Sequence, residues 1–159
     1  MRSSNKAQDH FSLSLESFRK FCTHFVTASK FKARIVSTRG PSGTKCPQWH
    51  LDHISVRWIE SLTGQGCHYI QGSGGVNWEA VNNLNDETMS IQDRNEFLVN
   101  QKLAKVSKGK PGEGVVLVGN GWSEYAKDNS LKLQGVIHKS PALIQPWEGR
   151  VLLIQDICW

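Results

Sequence analysis

From Lys32 onward the chain is a succession of short β-rich runs broken by glycine and proline, and that rhythm admits few folds. K-A-R-I-V-S-T (residues 32–38) alternates and predicts a strand; R-G-P-S-G-T after it predicts a turn. Residues 46–62 read C-P-Q-W-H-L-D-H-I-S-V-R-W-I-E-S-L. Pro47 forbids a helix interior there, and the apolar positions suit a strand with a bulge where the alternation slips. C-H-Y-I predicts a short strand and Q-G-S-G-G a loop. The polar stretch 76–105 predicts loop with a short helix around 90–97, and 123–130 predicts loop. Val115–Val118, Leu131–His138 and Arg150–Ile157 predict further strands. Strands in series behind one helix favour an all-β sandwich or barrel with a packing helix.

That helix precedes the strands. Phe11, Leu15, Phe18, Cys22 and Phe25 step by four, three, four and three, a helical stripe ending near Ser29, with Ser12 or Ser14 available as cap. Residues 1–10 are polar and predict a flexible arm, leaving 11–159 as a single β-barrel domain with a leading helix. Residues 1–45 hold nine Lys/Arg against Asp9 and Glu16, whereas 46–159 hold ten against twelve acids, so the basic excess is N-terminal. It fits a nucleic-acid or partner-binding arm or a solvated helix face. The lack of an extended basic run with interleaved aromatics favours the face and argues against a nucleic-acid partner. No run reaches the ~18 apolar residues of a membrane helix, and no secretory pattern is visible, so an intracellular, cytoplasmic protein is expected. An organelle-targeting segment stays open, with Asp9 and Glu16 weighing against it. Cys22, Cys46, Cys67 and Cys158 form no C-x-x-C pair, which excludes a zinc ribbon and leaves reduced thiols as the default.

The chemistry concentrates around H-L-D-H. His50 and Asp52, two apart on an expected strand, leave the same face, while His53 leaves the other. His138 lies on a later expected strand. Two histidines and one carboxylate make the facial set that holds non-haem Fe(II) with open positions. Arg150 follows on the next strand, where a buried guanidinium would need an anionic partner such as a dicarboxylate. Cys46 either completes a closed zinc site with these groups or is a small packed residue. His53 reads as a hydrogen-bonded neighbour of the ligands, and Arg57 as a surface or supporting cation that competes with Arg150 for an anion. His10, His24 and His68 belong to no constellation, and Cys67 and Cys158 read as structural thiols.

The order H-x-D, a Gly-led strand, a distal His and an Arg on the last strand resembles the double-stranded β-helix of Fe(II)/2-oxoglutarate dioxygenases. The resemblance implies a jelly-roll or cupin-like barrel. It implies Fe(II) held by His50, Asp52 and His138, with 2-oxoglutarate chelating the metal and its far carboxylate on Arg150. Trp49, Trp58 and Trp122 would wall that cavity, or else pack in the core. The segments C-P-Q-W-H-L-D-H-I-S-V-R, V-V-L-V-G-N-G-W, V-I-H-K-S-P-A and R-V-L-L-I-Q-D more closely resemble the uncharacterised domain-of-unknown-function family eighteen-twenty-six, from about Phe18 to Asp156. Some bacterial members of that family are associated with zinc-homeostasis genes, so the resemblance makes zinc, bound without redox chemistry, the rival to iron. The chain departs from the dioxygenase pattern in its short lead before His50 and in carrying Cys46 and His53 beside the motif. Neither reading names a substrate.

Overall fold

The computed structural model of the chain describes residues 2–26, 30–83, 88–128, 130 and 133–158. Helix α1 (Arg2–Phe25) comes first, followed by β1 (Lys30–Arg39) and a single 3₁₀ turn, Pro41–Gly43. Then come β2 (Val56–Thr63), β3 (His68–Ile70), α2 (Trp78–Asn83), α3 (Ile91–Leu98) and β4 (Val106–Lys108). β5 (Gly114–Val118), α4 (Trp122–Tyr125), β6 (His138–Lys139) and β7 (Gly149–Cys158) complete the order. Two antiparallel sheets form, one ordered β1-β7-β2-β5 and one ordered β4-β3-β6. None of the helices among the described residues is long and apolar enough to cross a membrane.

Alternation assigns each strand two jobs. Val56, Val118 and Ile157 face α1 and pack with Phe18, Cys22, Val26 and Trp122. Their neighbours of opposite parity, Ile59, Leu117, Leu152 and Ile154, turn inward and meet Cys67, just ahead of β3, and Tyr69 of the smaller sheet. Burying Phe18 alone contributes about 1.5–3 kcal/mol. A separate core under α2 and α3 gathers Trp49, Ile70, Leu98, Val99 and Ile137.

α1 starts at Arg2, ahead of the expected serine caps, and takes in residues read as an arm. Ser14 is not a cap but a buried helix-interior residue whose hydroxyl donates to the Glu60 carboxylate at 2.5 Å and accepts from Gln155 Nε2 at 3.1 Å. His10 reaches the same carboxylate. Phe25, expected in the stripe, is exposed, and Val26 beyond it is buried. The expected helix end near Ser29 lies outside the described residues.

Two expected strands are shorter than their patterns. Residues 46–55 carry only an isolated antiparallel bridge at His50, and β2 begins at Val56. The backbone groups of 46–55 bond to several partners: Trp49 N–H donates to Asn95 Oδ1, the Cys46 carbonyl accepts from Ser140, and the Asp52 and Ile54 carbonyls accept from Asn120 and Gly121. No single neighbour offers a continuous ladder. The bulge falls later, as a register shift between Ser61 and Thr63 against β7. Leu131–His138 likewise reduces to β6; residues 131 and 132 lie outside the described set. Val136 N–H donates to Val118 in one sheet while the Ile137 carbonyl accepts from Ile70 in the other, so this segment crosses between sheets. β4, α2 and α4 are too short to leave a periodic signal.

Two glycines serve close approach. A Cβ on Gly114 would stand 2.2 Å from the Trp58 ring, and one on Gly119 would stand 2.0 Å from the Ile54 carbonyl oxygen and 2.6 Å from that of Asp52. Gly119→Ala is therefore expected to destabilise by about 1–3 kcal/mol, read from the urea midpoint. An unchanged midpoint would show that residues 52–54 yield freely.

Candidate metal centre

The bridge between His50 and His138 supplies the local frame. Each residue's N–H donates to the other's carbonyl at 3.0 Å, so the two imidazoles leave paired backbones side by side, with ring centroids 4.4 Å apart. His50 Nδ1–H donates to the Gln48 carbonyl at 2.8 Å, and His138 Nδ1–H to the Val136 carbonyl at 3.0 Å. A carbonyl only accepts, so both rings carry the proton on Nδ1 and turn Nε2 the other way. There the Nε2 atoms meet Asp52: His50 Nε2 lies 3.6 Å from Oδ1 and His138 Nε2 3.4 Å from Oδ2. One donor atom from each of the three residues lies within 4.8 Å of the others. Metal–ligand distances of about 2.0–2.2 Å are compatible with donors at this spacing.

Electrostatics favour a neutral imidazole and an ionised carboxylate. Burial, then the neighbouring His138, pushes His50 below its ordinary pKa. Burial works to raise Asp52, but its neighbours His138, Arg57 and His50 together hold it below its ordinary value. Arg57 approaches it more closely than either histidine: Nη1–H donates to Asp52 Oδ2 at 2.6 Å while Nε–H donates to Asp156 Oδ1 at 2.5 Å. Asp156 is 7% exposed and its other oxygen accepts from Arg34. A chain Arg34–Asp156–Arg57–Asp52 thus runs from β1 through β7 and β2 to the loop, alternating in charge.

Beside the cluster lies a cavity of ≈ 240 Å³, lined by His50, His138 and Arg57 at one side and by Val36, Ile59, Leu152 and Ile154 along its walls. Arg150 lines it too and is 3% exposed. Its Nη2–H donates to Ser140 Oγ at 2.8 Å and its Nε–H to Thr38 Oγ1 at 3.4 Å, whereas Nη1 is buried with no hydrogen-bond partner among the described residues. Burial lowers the Arg150 pKa from its ordinary value. A desolvated guanidinium with an open donor is a site for an anion.

The other expected residues fall elsewhere. Cys46 is exposed, with a left-handed backbone (φ 48°), and lines the cavity, but it is not in the donor cluster; His53 is exposed and outside the cluster as well. Arg57 supports Asp52 and is already committed to two carboxylates. The tryptophans do not wall the cavity. Trp58 has the parity of Val56 and packs under α1, Trp122 joins it there from α4, and Trp49 turns into the core below α3 with Lys139 4.8 Å over its ring. Aliphatic side chains form the wall instead. Asp156, Ser140 and Thr38 were not anticipated. Positions 150, 152, 154 and 156 share one face of a strand, so parity with Arg150 was the available signal for Asp156. His68, which the sequence places in no constellation, is half-buried, and its buried Nε2 has no hydrogen-bond partner among the described residues.

A family model described as Protein of unknown function (DUF1826) matches residues 4–156. No curated protein and no solved structure matches the chain. The match spans all the segments on which that family resemblance was noted, and the comparisons do not reach the Fe(II)/2-oxoglutarate dioxygenases.

Two outcomes are expected. Asp156→Ala removes the carboxylate shared by Arg34 and Arg57 and should cost about 3 kcal/mol in denaturant unfolding; a loss under about 0.5 kcal/mol would mean the arginines find other partners. Burial, then Lys108, Lys139 and Arg150, push His68 down to about 4 from 6.5. Its folded pKa lies below the unfolded one, so the unfolded chain binds the proton more readily. The His68 contribution is full above pH 6.5 and is lost as pH falls toward 4. His68→Asn should flatten the stability–pH profile in that window, and an unchanged slope would contradict the assignment.

Proposed function

Since the chain belongs to the DUF1826 family, whose description assigns no activity, we propose from its geometry that it is a metal-dependent, oxygenase-like domain. In this reading His50, Asp52 and His138 hold Fe(II), Arg150 seats 2-oxoglutarate, and the two antiparallel sheets are the halves of a double-stranded β-helix. The carrying observation is that Arg150, whose buried Nη1 has no hydrogen-bond partner among the described residues, lines the same cavity as both histidines.

The donor set fits the ion. Two imidazole nitrogens and one carboxylate oxygen suit Fe(II) and leave coordination positions for a chelating co-substrate. When bound, Fe(II) would supply the dioxygen chemistry that no side chain can. The residues of the chain do the rest. The Gln48 and Val136 carbonyls fix the imidazole tautomers, and Arg57 holds Asp52 Oδ2 so that Oδ1 stays available. Arg150 binds the distal carboxylate of the co-substrate. Ser140 and Thr38 accept from Arg150 and keep their own O–H groups as donors to the same carboxylate. Val36, Ile59, Leu152 and Ile154 keep bulk water away from the space between the two ends.

Zinc without redox chemistry is the rival reading, favoured by Cys46 on the same cavity. Thiolate prefers zinc to an open iron site. Purified protein is expected to convert 2-oxoglutarate to succinate in an iron-dependent manner. His50→Ala should abolish metal binding, and Arg150→Ala should weaken 2-oxoglutarate at least tenfold, about 1.4 kcal/mol, with metal affinity intact. No turnover together with unchanged metal content in His50→Ala removes the proposal. Tight zinc that is lost in Cys46→Ser, again without turnover, transfers support to the rival.

A further inference from the structure

We infer that Cys46 is a covalent modification site: its thiol exchanges with low-molecular-weight disulfides that carry a carboxylate, and Arg150 receives that carboxylate. The inference goes beyond the metal reading, and no metal enters its step. Exposure separates this thiol from two others. Cys22 and Cys67 are buried, and burial pushes their thiols up to about 12 and about 11. Cys46 is exposed and lines the same cavity as Arg150, so a reagent arriving from solvent reaches its sulfur without any opening of the core.

Ser140 ties the thiol to the cation. Its N–H donates to the Cys46 carbonyl at 3.0 Å, and its Oγ accepts from Arg150 Nη2 at 2.8 Å. A charge on the Cys46 sulfur acts on both the Arg150 and the Arg57 guanidinium, so the sulfur stands near both. Arg57 is committed to Asp52 and Asp156. Arg150 is 3% exposed, and its buried Nη1 has no hydrogen-bond partner among the described residues. A reagent with a carboxylate a few bonds from its disulfide therefore meets a nucleophile and an anion seat together. In the step, Cys46 loses its S–H proton to water and the thiolate attacks one sulfur of the reagent. A new S–S bond forms on Cys46 as the reagent's own S–S bond breaks, and the departing thiolate takes up a proton. The Cys46 sulfur is oxidised and the departing sulfur reduced. Cys67 is badly placed to reverse this. The bridge at His50 and the pairing of β3 set the segments of Cys46 and Cys67 on opposite sides of β6. Two strand spacings, roughly 9–10 Å, then separate them, beyond the ~7 Å reach of a disulfide. The carboxylate of the adduct would occupy the seat proposed above for 2-oxoglutarate, so the modified chain would refuse that acid.

The test treats the purified full chain with dithiodipropionate and, separately, with the neutral hydroxyethyl disulfide. Peptide mass spectrometry locates the adduct, and each rate is scaled by that of free mercaptoethanol with the same reagent. Cys46 is expected to be labelled first, and the acid reagent to react roughly tenfold faster than the neutral one after scaling. Glutarate, which has no sulfur, should slow the acid reagent and leave the neutral one unchanged; this arm uses the wild-type chain and depends on no variant folding. Arg150→Ala should erase the preference while keeping the neutral rate, and Arg150→Lys should keep part of it. The inference is overturned when another cysteine is labelled first, when the acid reagent has no advantage, when glutarate slows both reagents alike or neither, or when Arg150→Ala keeps the full preference. None of these readouts involves iron or turnover, whereas metal content and succinate formation decide the earlier proposal, so the two fail separately.

Discussion

The Asp156 carboxylate joins Arg34 of β1 to Arg57 of β2 from the strand between them, and Arg57 extends that hold to Asp52. Asp52 needs this. Its segment has no ladder partner, so the sheet does not fix its side chain as it would on a regular strand. Buried charges are costly to desolvate, and a chain of alternating sign offsets that only when every member is present. The same chain also settles which cation is open. Arg34 and Arg57 are matched by two acids, whereas Arg150, which lines the same cavity, keeps a buried donor with no hydrogen-bond partner among the described residues.

The two sheets contribute different things to the centre. The larger one supplies a wall of aliphatic side chains with Arg150 among them, through the inward positions of β1, β2 and β7. The smaller one supplies His138, and the single bridge to His50 ties the H-x-D segment to it. The cluster thus sits where a rigid edge meets a loop that is held by bonds to Asn95, Asn120, Gly121 and Ser140. Arg94 reaches the same loop through Gln48, so α3 braces it from outside.

Much of this was legible where local pattern and tertiary role coincide. β1 alternates because one face is buried and the other is not, β5 and β7 are apolar runs with residues packed on both faces, and the limits of all three fall within two residues of the pattern. His50, Asp52, His138 and Arg150 were singled out by residue type and order, and the fold brings the first three together with Arg150 on the adjoining cavity. The reason given for His50 and Asp52 was incomplete, because they converge on a bridged loop, not along a strand. Residues 46–55 and 133–137 look like strands in sequence because extended backbone and strand share the same apolar spacing; only the identity of the hydrogen-bond partner separates them, and that is a long-range property. Of the two readings for Trp58, cavity wall or core, the structure takes the core. Its type suits a cavity wall, but its parity with Val56 sends it under α1. Asp156 went unnoticed because an acid at a strand end reads as solvent-facing unless two arginines from other strands are known to arrive.

β7 lies inside the larger sheet, between β1 and β2, yet follows both in the chain, with Lys30 opposite Cys158 and Arg57 opposite Asp156. Neither neighbour can reach the other until this strand inserts, so assembly is dominated by contacts of long sequence separation, the slow regime of folding kinetics. A nascent chain that has made only its first two strands exposes their unpaired inner edges, a window for misassociation that closes in one step. The same event brings in Arg150 and Asp156, so a partly assembled sheet has neither the brace for Asp52 nor the cavity's buried cation.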